Sequence, residues 1–164
     1  MTCRQIVPSL FLALALTACA STPQAVVSES RPVVAVWDLE DVGPLTKASP
    51  VLGELLSSEV LETIKQKGTY TVVERERLRL VLDELKLGTT SLVDESTRLR
   101  LGKLVGATLM VFGGYQTIGD TVRLDLRLVE VESGRTLKAV FKTAPAANVP
   151  ELLKATRAAT AAIM

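Results

Sequence analysis

The chain contains no histidine, and its two cysteines, Cys3 and Cys19, both lie in the first twenty residues. The first absence removes the commonest general base and the commonest metal ligand. The second leaves the rest of the chain without a thiol, so no disulfide can form within it. Neither sign of charge dominates. Lys+Arg 19 against Asp+Glu 18 give a formal net charge of +1, which offers no bulk attraction for nucleic acid or an anionic membrane surface. GxGxxG, P-loop, GxSxG and HExxH motifs are also missing, and serines or threonines without a base do not make a nucleophile. Cofactors, metals, nucleic acid and a small-molecule substrate are therefore not expected. What is present is ordinary for a folded protein. The 164 residues are 48% hydrophobic and 23% charged, enough for one domain and a targeting segment.

That targeting segment is residues 1–18. Residues 6–16 (IVPSLFLALAL) form an apolar run too short to span a bilayer as a helix but of the length of a signal-peptide core. It ends in Leu16-Thr17-Ala18-Cys19, which looks like a bacterial lipobox. Cleavage after Ala18 would make Cys19 the lipidated first residue and discard Cys3. Ala18-Cys19-Ala20 also satisfies the small-x-small rule of an ordinary secretory signal, but leucine, two small residues and cysteine together favour the lipobox. Losing Arg4 with the leader brings the formal charge to zero. No aspartate follows Cys19, which in the enterobacterial sorting rule favours the outer membrane. A buried acyl chain contributes about 0.8 kcal/mol per methylene, and the three chains usual for such lipoproteins make a permanent anchor. Residues 20–32 (ASTPQAVVSESRP) are small, polar and proline-bearing, so residues 19–32 read as a lipidated flexible tether. Its reach is some tens of Å at most, on the order of 3.5 Å per residue, too short to cross the periplasm.

Residues 33–164 are expected to form one domain. Residues 33–39 (VVAVWDL) are nearly continuous in apolar character, as in a central strand buried on both faces. After a loop over 40–49, Ser49-Pro50 marks a helix start. Over 50–67, Val51, Leu52, Leu55, Leu56, Val60, Leu61 and Ile64 share one face, with Gly68 placed to end the helix. A strand over 70–73 follows, and the short connections imply parallel pairing with the first strand. A second helix over 75–87 carries Leu78, Val81, Leu82 and Leu85 and is closed by Gly88. A loop over 89–93 leads to a third helix over 94–105, capped by Asp94 and ended by Gly106. Residues 108–141 then read as three antiparallel strands. Leu124, Leu126 and Leu128 alternate with Arg123, Asp125 and Arg127 in a period of two. Gly119-Asp120 and Ser133-Gly134 occupy the turns. Residues 144–149 are a linker, and Pro150 opens a last helix with Val149, Leu152, Leu153 and Ile163 on one side. The fold class is α/β (α+β), a mixed five-stranded sheet in the order β-α-β-α-α-β-β-β-α with helices packed on it.

Four groups of residues invite a functional reading. Asp38, Glu40 and Asp41 cluster at the end of the first strand, where carboxylates can bind cations or transfer protons. Without histidine or a second acidic motif they read as the start of a solvated loop. Glu74, Arg75, Glu76 and Arg77 form a charge run at a strand-to-helix corner, with Glu74 favourable to the helix dipole, and read as structural. Gly113-Gly114 is expected to mark a bulge or bend rather than a ligand's close approach. Arg123, Asp125 and Arg127 are either a solvated ladder or part of a subunit contact.

The wording of residues 33 to about 143 resembles the CsgG/HfaB domain of outer-membrane lipoproteins, with FlgO-type proteins and the amino-terminal domain of TolB as more distant relatives. The Val73-Glu74-Arg75 corner, residues 101–107 (LGKLVGA) and residues 129–134 carry the resemblance, together with the lipobox. It implies a non-enzymatic outer-membrane lipoprotein anchored through lipid on Cys19, its domain facing the periplasm. Such a protein would scaffold or assist assembly or secretion of a surface structure, such as a curli-like fibre, a flagellum or an envelope complex, by binding itself or another envelope protein. Curli-type channels of the family insert two hairpins per subunit into the membrane. That requires four strands of about 9–11 residues, and this chain has no spare segment for them. Channel subunit and regulator of a cell-wall synthase stand as alternatives.

Overall fold

The computed structural model describes residues 31–43, 50–85 and 94–164. Its elements are β1 (Val33–Val36), β2 (Glu40–Asp41), α1 (Pro50–Lys67), β3 (Thr71–Val72), α2 (Arg75–Glu84), α3 (Glu95–Leu104), β4 (Leu109–Ile118), β5 (Thr121–Glu130), β6 (Thr136–Pro145) and α4 (Val149–Ile163). The leader with Ala18 and Cys19, most of the tether, Ser49, Gly88 and the 89–93 loop lie outside the described residues.

The sheet runs β3-β1-β4-β5-β6, with β2 also paired to β4. β1 is parallel to both β3 and β4. β4, β5 and β6 form the expected antiparallel meander. Gly119 (φ 59°) and Gly134 (φ 70°) supply the positive φ that its two connections need.

The sheet is mixed, as expected, but has six strands rather than five: the first strand, expected over 33–39, ends at Val36, and a short further strand, β2, forms at Glu40–Asp41 within the expected loop. Val36 faces Val111 while Glu40 faces Gly114, so four steps of one strand are set against three of the other. The surplus residue is absorbed between Trp37 and Leu39. Trp37 N–H still donates to Val111 O (2.9 Å), whereas Leu39 N–H turns away and donates to the buried Ser57 Oγ (2.8 Å). Ser57 Oγ in turn donates to Gly53 O (2.7 Å). A Cβ on Gly53 would stand 2.6 Å from Leu39 O, so α1 is seated directly against this kink.

That contact also narrows the inward face of α1. Leu56, Val60 and Ile64 are wholly buried, but Val51 is 75% and Leu55 39% exposed. The helix turns Gly53 and Ser57 inward, and the outer leucines and valines are displaced to the rim. In α2, Leu78 and Leu82 are buried and Leu85 is 48% exposed, because the regular helix stops at Glu84. α3 begins as expected, with Asp94 Oδ1 accepting from Thr97 N–H (2.8 Å). The meander runs on to Pro145, since Ala144 pairs with Val122 and is buried. α4 is capped by Asn148, whose Oδ1 accepts from Glu151 N–H (3.1 Å). Its buried stripe is Leu152, Thr156, Ala159, Thr160 and Ile163, with Val149 exposed. The two threonine hydroxyls donate to carbonyls four residues back (2.9 and 2.8 Å), which lets a polar residue face the core.

Two cores result. On one face, α1 and α4 pack against Val34, Val36, Val111, Leu124, Leu126 and Leu128. On the other, α2 and α3 pack against Ala35, Trp37, Met110, Phe112 and Val129. The second core ends at β4 and the last residues of β5. Among the described residues, no helix therefore lies over the outer face of the β5–β6 half.

Candidate functional site

The register places Arg123, Asp125 and Arg127 on that uncovered face. Phe112, Gly114 and Gln116 of β4 lie opposite them, and Ala139, Phe141 and Thr143 of β6 flank the other side. β2 and α3 rise beside this floor and bound a groove of about 470 Å³.

Each arginine of the groove lies on an aromatic ring. The Arg123 guanidinium sits 4.3 Å from the centre of Phe141 and Arg127 5.4 Å from that of Phe112. Arg98, on α3, sits 5.3 Å from the centre of Trp37. In each stack the cation is drawn to the negative face of the ring and covers part of it. Each arginine also meets an acid. Arg123 grips Asp125 through two bonds (2.9 and 2.7 Å), a contact that raises the Arg123 pKa. Arg127 reaches Glu95 (2.8 Å), and Arg98 reaches Glu40 (2.5 Å). Arg127–Glu95 and Arg98–Glu40 tie α3 to β5 and β2. Positive and negative groups therefore alternate along the groove, with the apolar surface of Phe141 and Val42, both 56% exposed, between them.

The three acids at the end of the first strand do not share a centre. Asp38 binds Arg75 (2.9 Å), which also reaches Glu54 (3.2 Å). Glu40 binds Arg98. Asp41 accepts from Gly43 N–H (2.9 Å). Asp38 and Glu40 are ties between elements rather than part of the solvated loop expected, while the contact of Asp41 with Gly43 stays within its own loop. Burial, and after it the charge of Asp41, raises the pKa of the Tyr115 phenol. The hydrogen bond from Thr97 N–H, helped by Ser96, lowers that of Asp94. Both shifts are local to structural contacts. Among the described residues, no three of His, Cys, Asp and Glu come together as a metal site. No helix of the described chain is long and apolar enough to cross a membrane.

The charge run at the strand-to-helix corner has the structural role expected of it. Arg75 joins α2 to the end of β1 and to α1, and Glu74 pairs with Lys65 (3.0 Å). The glycine pair does not mark a bulge, because the β4–β5 register runs through it unbroken. The irregularity lies instead between β5 and β6, at Leu128/Val129. Gly113 and Gly114 mark close approach of the chain's own segments. A Cβ on Gly113 would stand 2.6 Å from both Asp125 O and Leu126 Cδ2, and one on Gly114 3.0 Å from Glu40 O. The exposed face of β5 was anticipated. Its partners Phe112, Phe141 and Arg98 were not, although the alternation of β4 and a register counted from Gly119 would have paired Phe112 with Arg127.

The family model for the curli production assembly/transport component CsgG matches residues 15–117. The chain belongs to the CsgG family. The match ends within β4, so β2, α3 and the Phe112–Gly114 wall of the groove fall inside it and the β5–β6 floor falls outside. No curated protein matches the sequence. Among solved structures, the LpoB C-terminal domain from Salmonella enterica is similar at 17% identity and a TM-score of 0.57, covering 74% of this chain and 88% of that one. The LpoB C-terminal domain from Escherichia coli is similar at 13% identity and 0.59, covering 70% and 83%. Lipoprotein GNA1162 from Neisseria meningitidis is similar at 13% identity and 0.53, covering 69% and 79%. At these identities the likeness is one of fold.

Proposed function

We propose that the protein is a non-enzymatic accessory lipoprotein of the outer membrane. It is anchored through lipid on Cys19 with its domain in the periplasm, and it assists assembly or secretion of a surface structure by binding another envelope protein. The observation that carries this reading is the uncovered face of β5 and β6, in a domain whose family is named for assembly and transport. The face is ordered by arginine–aromatic stacks and ion pairs, so a partner meets a preset surface. A groove without a nucleophile, metal cluster or strongly perturbed acid–base pair suits recognition better than chemistry.

A pore is disfavoured by length. Both hairpins of the meander are used within the sheet. The segments outside the described residues that interrupt the domain, 44–49 and 86–93, hold six and eight residues, each too short even for one membrane strand of about 9–11. Regulation of a cell-wall synthase across the periplasm is disfavoured by the short tether.

A photo-crosslinking residue at position 141, in envelopes of the native host, tests the reading. The expected result is one envelope protein crosslinked at position 141 and not at Leu80, on the exposed side of α2. Cys19→Ala should lose lipid labelling and membrane retention. Stable single-channel conductance by purified protein, or crosslinks alike at both positions, would overturn the proposal.

A further inference from the structure

Among the described residues, β6 is the last strand of the sheet order, pairs only with β5 and leaves its outer edge unused; it spans ten residues. In an antiparallel sheet alternate residues of such an edge present N–H and C=O groups outward. Its first residues are irregular, because Val129 faces Thr136 and Leu128 faces Lys138, leaving Leu137 unopposed. From Lys138 to Ala144 the register is unbroken.

The two faces of this regular stretch differ in chemistry. Toward the groove stand Ala139, Phe141 and Thr143, all exposed, with the Arg123 guanidinium over the Phe141 ring. Toward α4 stand Lys138 and Lys142, both exposed and four residues apart, flanking the half-buried Val140. Neither lysine is in an ion pair with any described residue. The arginines that line the groove are, by contrast, all matched to acids. The unmatched charge near the uncovered face is thus positive, on the edge, and on one side only.

Lysines on an edge strand ordinarily keep it from pairing with its own kind, and here the spacing does so in detail. A second copy laid antiparallel about Val140, with the helices on the same side, would set Lys138 of each chain opposite Lys142 of the other. Like charges directly opposite are destabilising. An acidic strand in the same place converts both repulsions into cross-strand ion pairs.

From this we infer that β6 takes an extended acidic segment of a partner protein as a seventh strand. The segment carries acidic residues four apart facing Lys138 and Lys142, and apolar residues on the alternate side that pack on Phe141 and Ala139. Main-chain bonds to the edge supply affinity, and the alternating side chains supply selectivity. The inference rests on the accessory reading above and names the chemistry of its partner.

The test uses the full-length lipoprotein in a zwitterionic detergent and a ten-residue synthetic peptide of alternating glutamate and valine. Its companions are a lysine-for-glutamate version and a version N-methylated at alternate backbone nitrogens. The glutamate peptide should shift the backbone amides of residues 138–144 and bind about tenfold more tightly than the lysine peptide, as two reversed cross-strand charge pairs allow. N-methylation should abolish binding. Lys138→Glu with Lys142→Glu should invert the preference, which a merely misfolded variant would not do. Equal binding of the two charge versions, retention by the methylated peptide, shifts away from β6, or no binding at millimolar peptide would overturn the inference. So would β6 amide shifts appearing on concentration of the protein alone, which would make a second copy the occupant. An envelope protein crosslinked at position 141 alongside peptides that fail at β6 would sink this inference and leave the accessory reading standing. Selective peptides with no envelope partner would do the reverse.

Discussion

The two halves of the sheet share β4 and differ in what covers them. In the β3–β1–β4 half, Val34, Ala35 and Val36 are all at most 5% exposed although they point to alternating faces, because α1 closes one side and α2 with α3 the other. In the β5–β6 half, Leu124, Leu126 and Leu128 are buried under α4 and its neighbours while Arg123, Asp125 and Arg127 are half-buried on the other side. A strand covered twice can only hold the fold together. A strand covered once has a face to spare, and the arginines here are what keep that face both wet and ordered.

Substitutions on the two sides of β5 should separate these roles most sharply. Leu124→Ala removes a wholly buried side chain and should cost about 2–5 kcal/mol, the usual range for a core leucine, read as a lower urea midpoint at unchanged slope. Arg123→Ala, one residue away on the wet face, should leave the midpoint near that of the parent chain. Comparable losses at both positions would mean that the second face is core as well.

Much of this contrast was legible in the chain. Continuous apolar character at Val33–Val36 and strict alternation at residues 122–128 are the physical signatures of strands covered on two faces and on one. The helix boundaries followed from local chemistry: proline at Pro50, an aspartate cap at Asp94, glycine at Gly68 and Gly106. What could not be read is what depends on contact between distant segments. Nothing in the neighbourhood of Leu39 announces that its N–H leaves the sheet for Ser57, and so the kink that creates β2 was hidden. The inward face of α1 was drawn too wide for the same reason, since Gly53 and Ser57 are polar or small and gain their place only from Leu39. The groove needs Arg98 and Arg127 brought together across a loop and a strand pair. Alternation places Arg127 on the open face of its strand but cannot say that Arg98 of another element meets it there.

The glycine pair offers a second comparison within a single strand. Gly113 points into the core covered by α1 and α4, where an added Cβ would meet backbone at 2.6 Å, while Gly114 points toward the groove wall, with β2 3.0 Å away. Gly113→Ala should therefore cost about 1–3 kcal/mol, as overpacking in a closed core does. Gly114→Ala should cost less, because β2 is a two-residue strand on the open side and can shift. Thermal or urea denaturation of the two variants checks the order. A larger loss at Gly114 would show β2 to be as fixed as the core, and the groove wall to be rigid.

The smallest expected effect concerns how firmly α3 closes the edge of the groove. Arg127 and Glu95 bond across 2.8 Å, with side chains 42% and 45% exposed. At that exposure solvent screens most of the attraction, and a double-mutant cycle with Arg127→Ala and Glu95→Ala should give a coupling of about 0.2–1 kcal/mol. The coupling should fall as salt is raised, since the Debye length contracts to roughly 3 Å at 1 M. The stack of Arg127 on Phe112 is the competing source of order, and it is less sensitive to salt because the contact is partly desolvated. The stack is lost in every Arg127→Ala variant and cancels from the cycle, so a coupling that survives 1 M salt would mean that the Arg127–Glu95 pair itself is shielded from solvent. The pair would then hold α3 to β5 in any ionic surroundings.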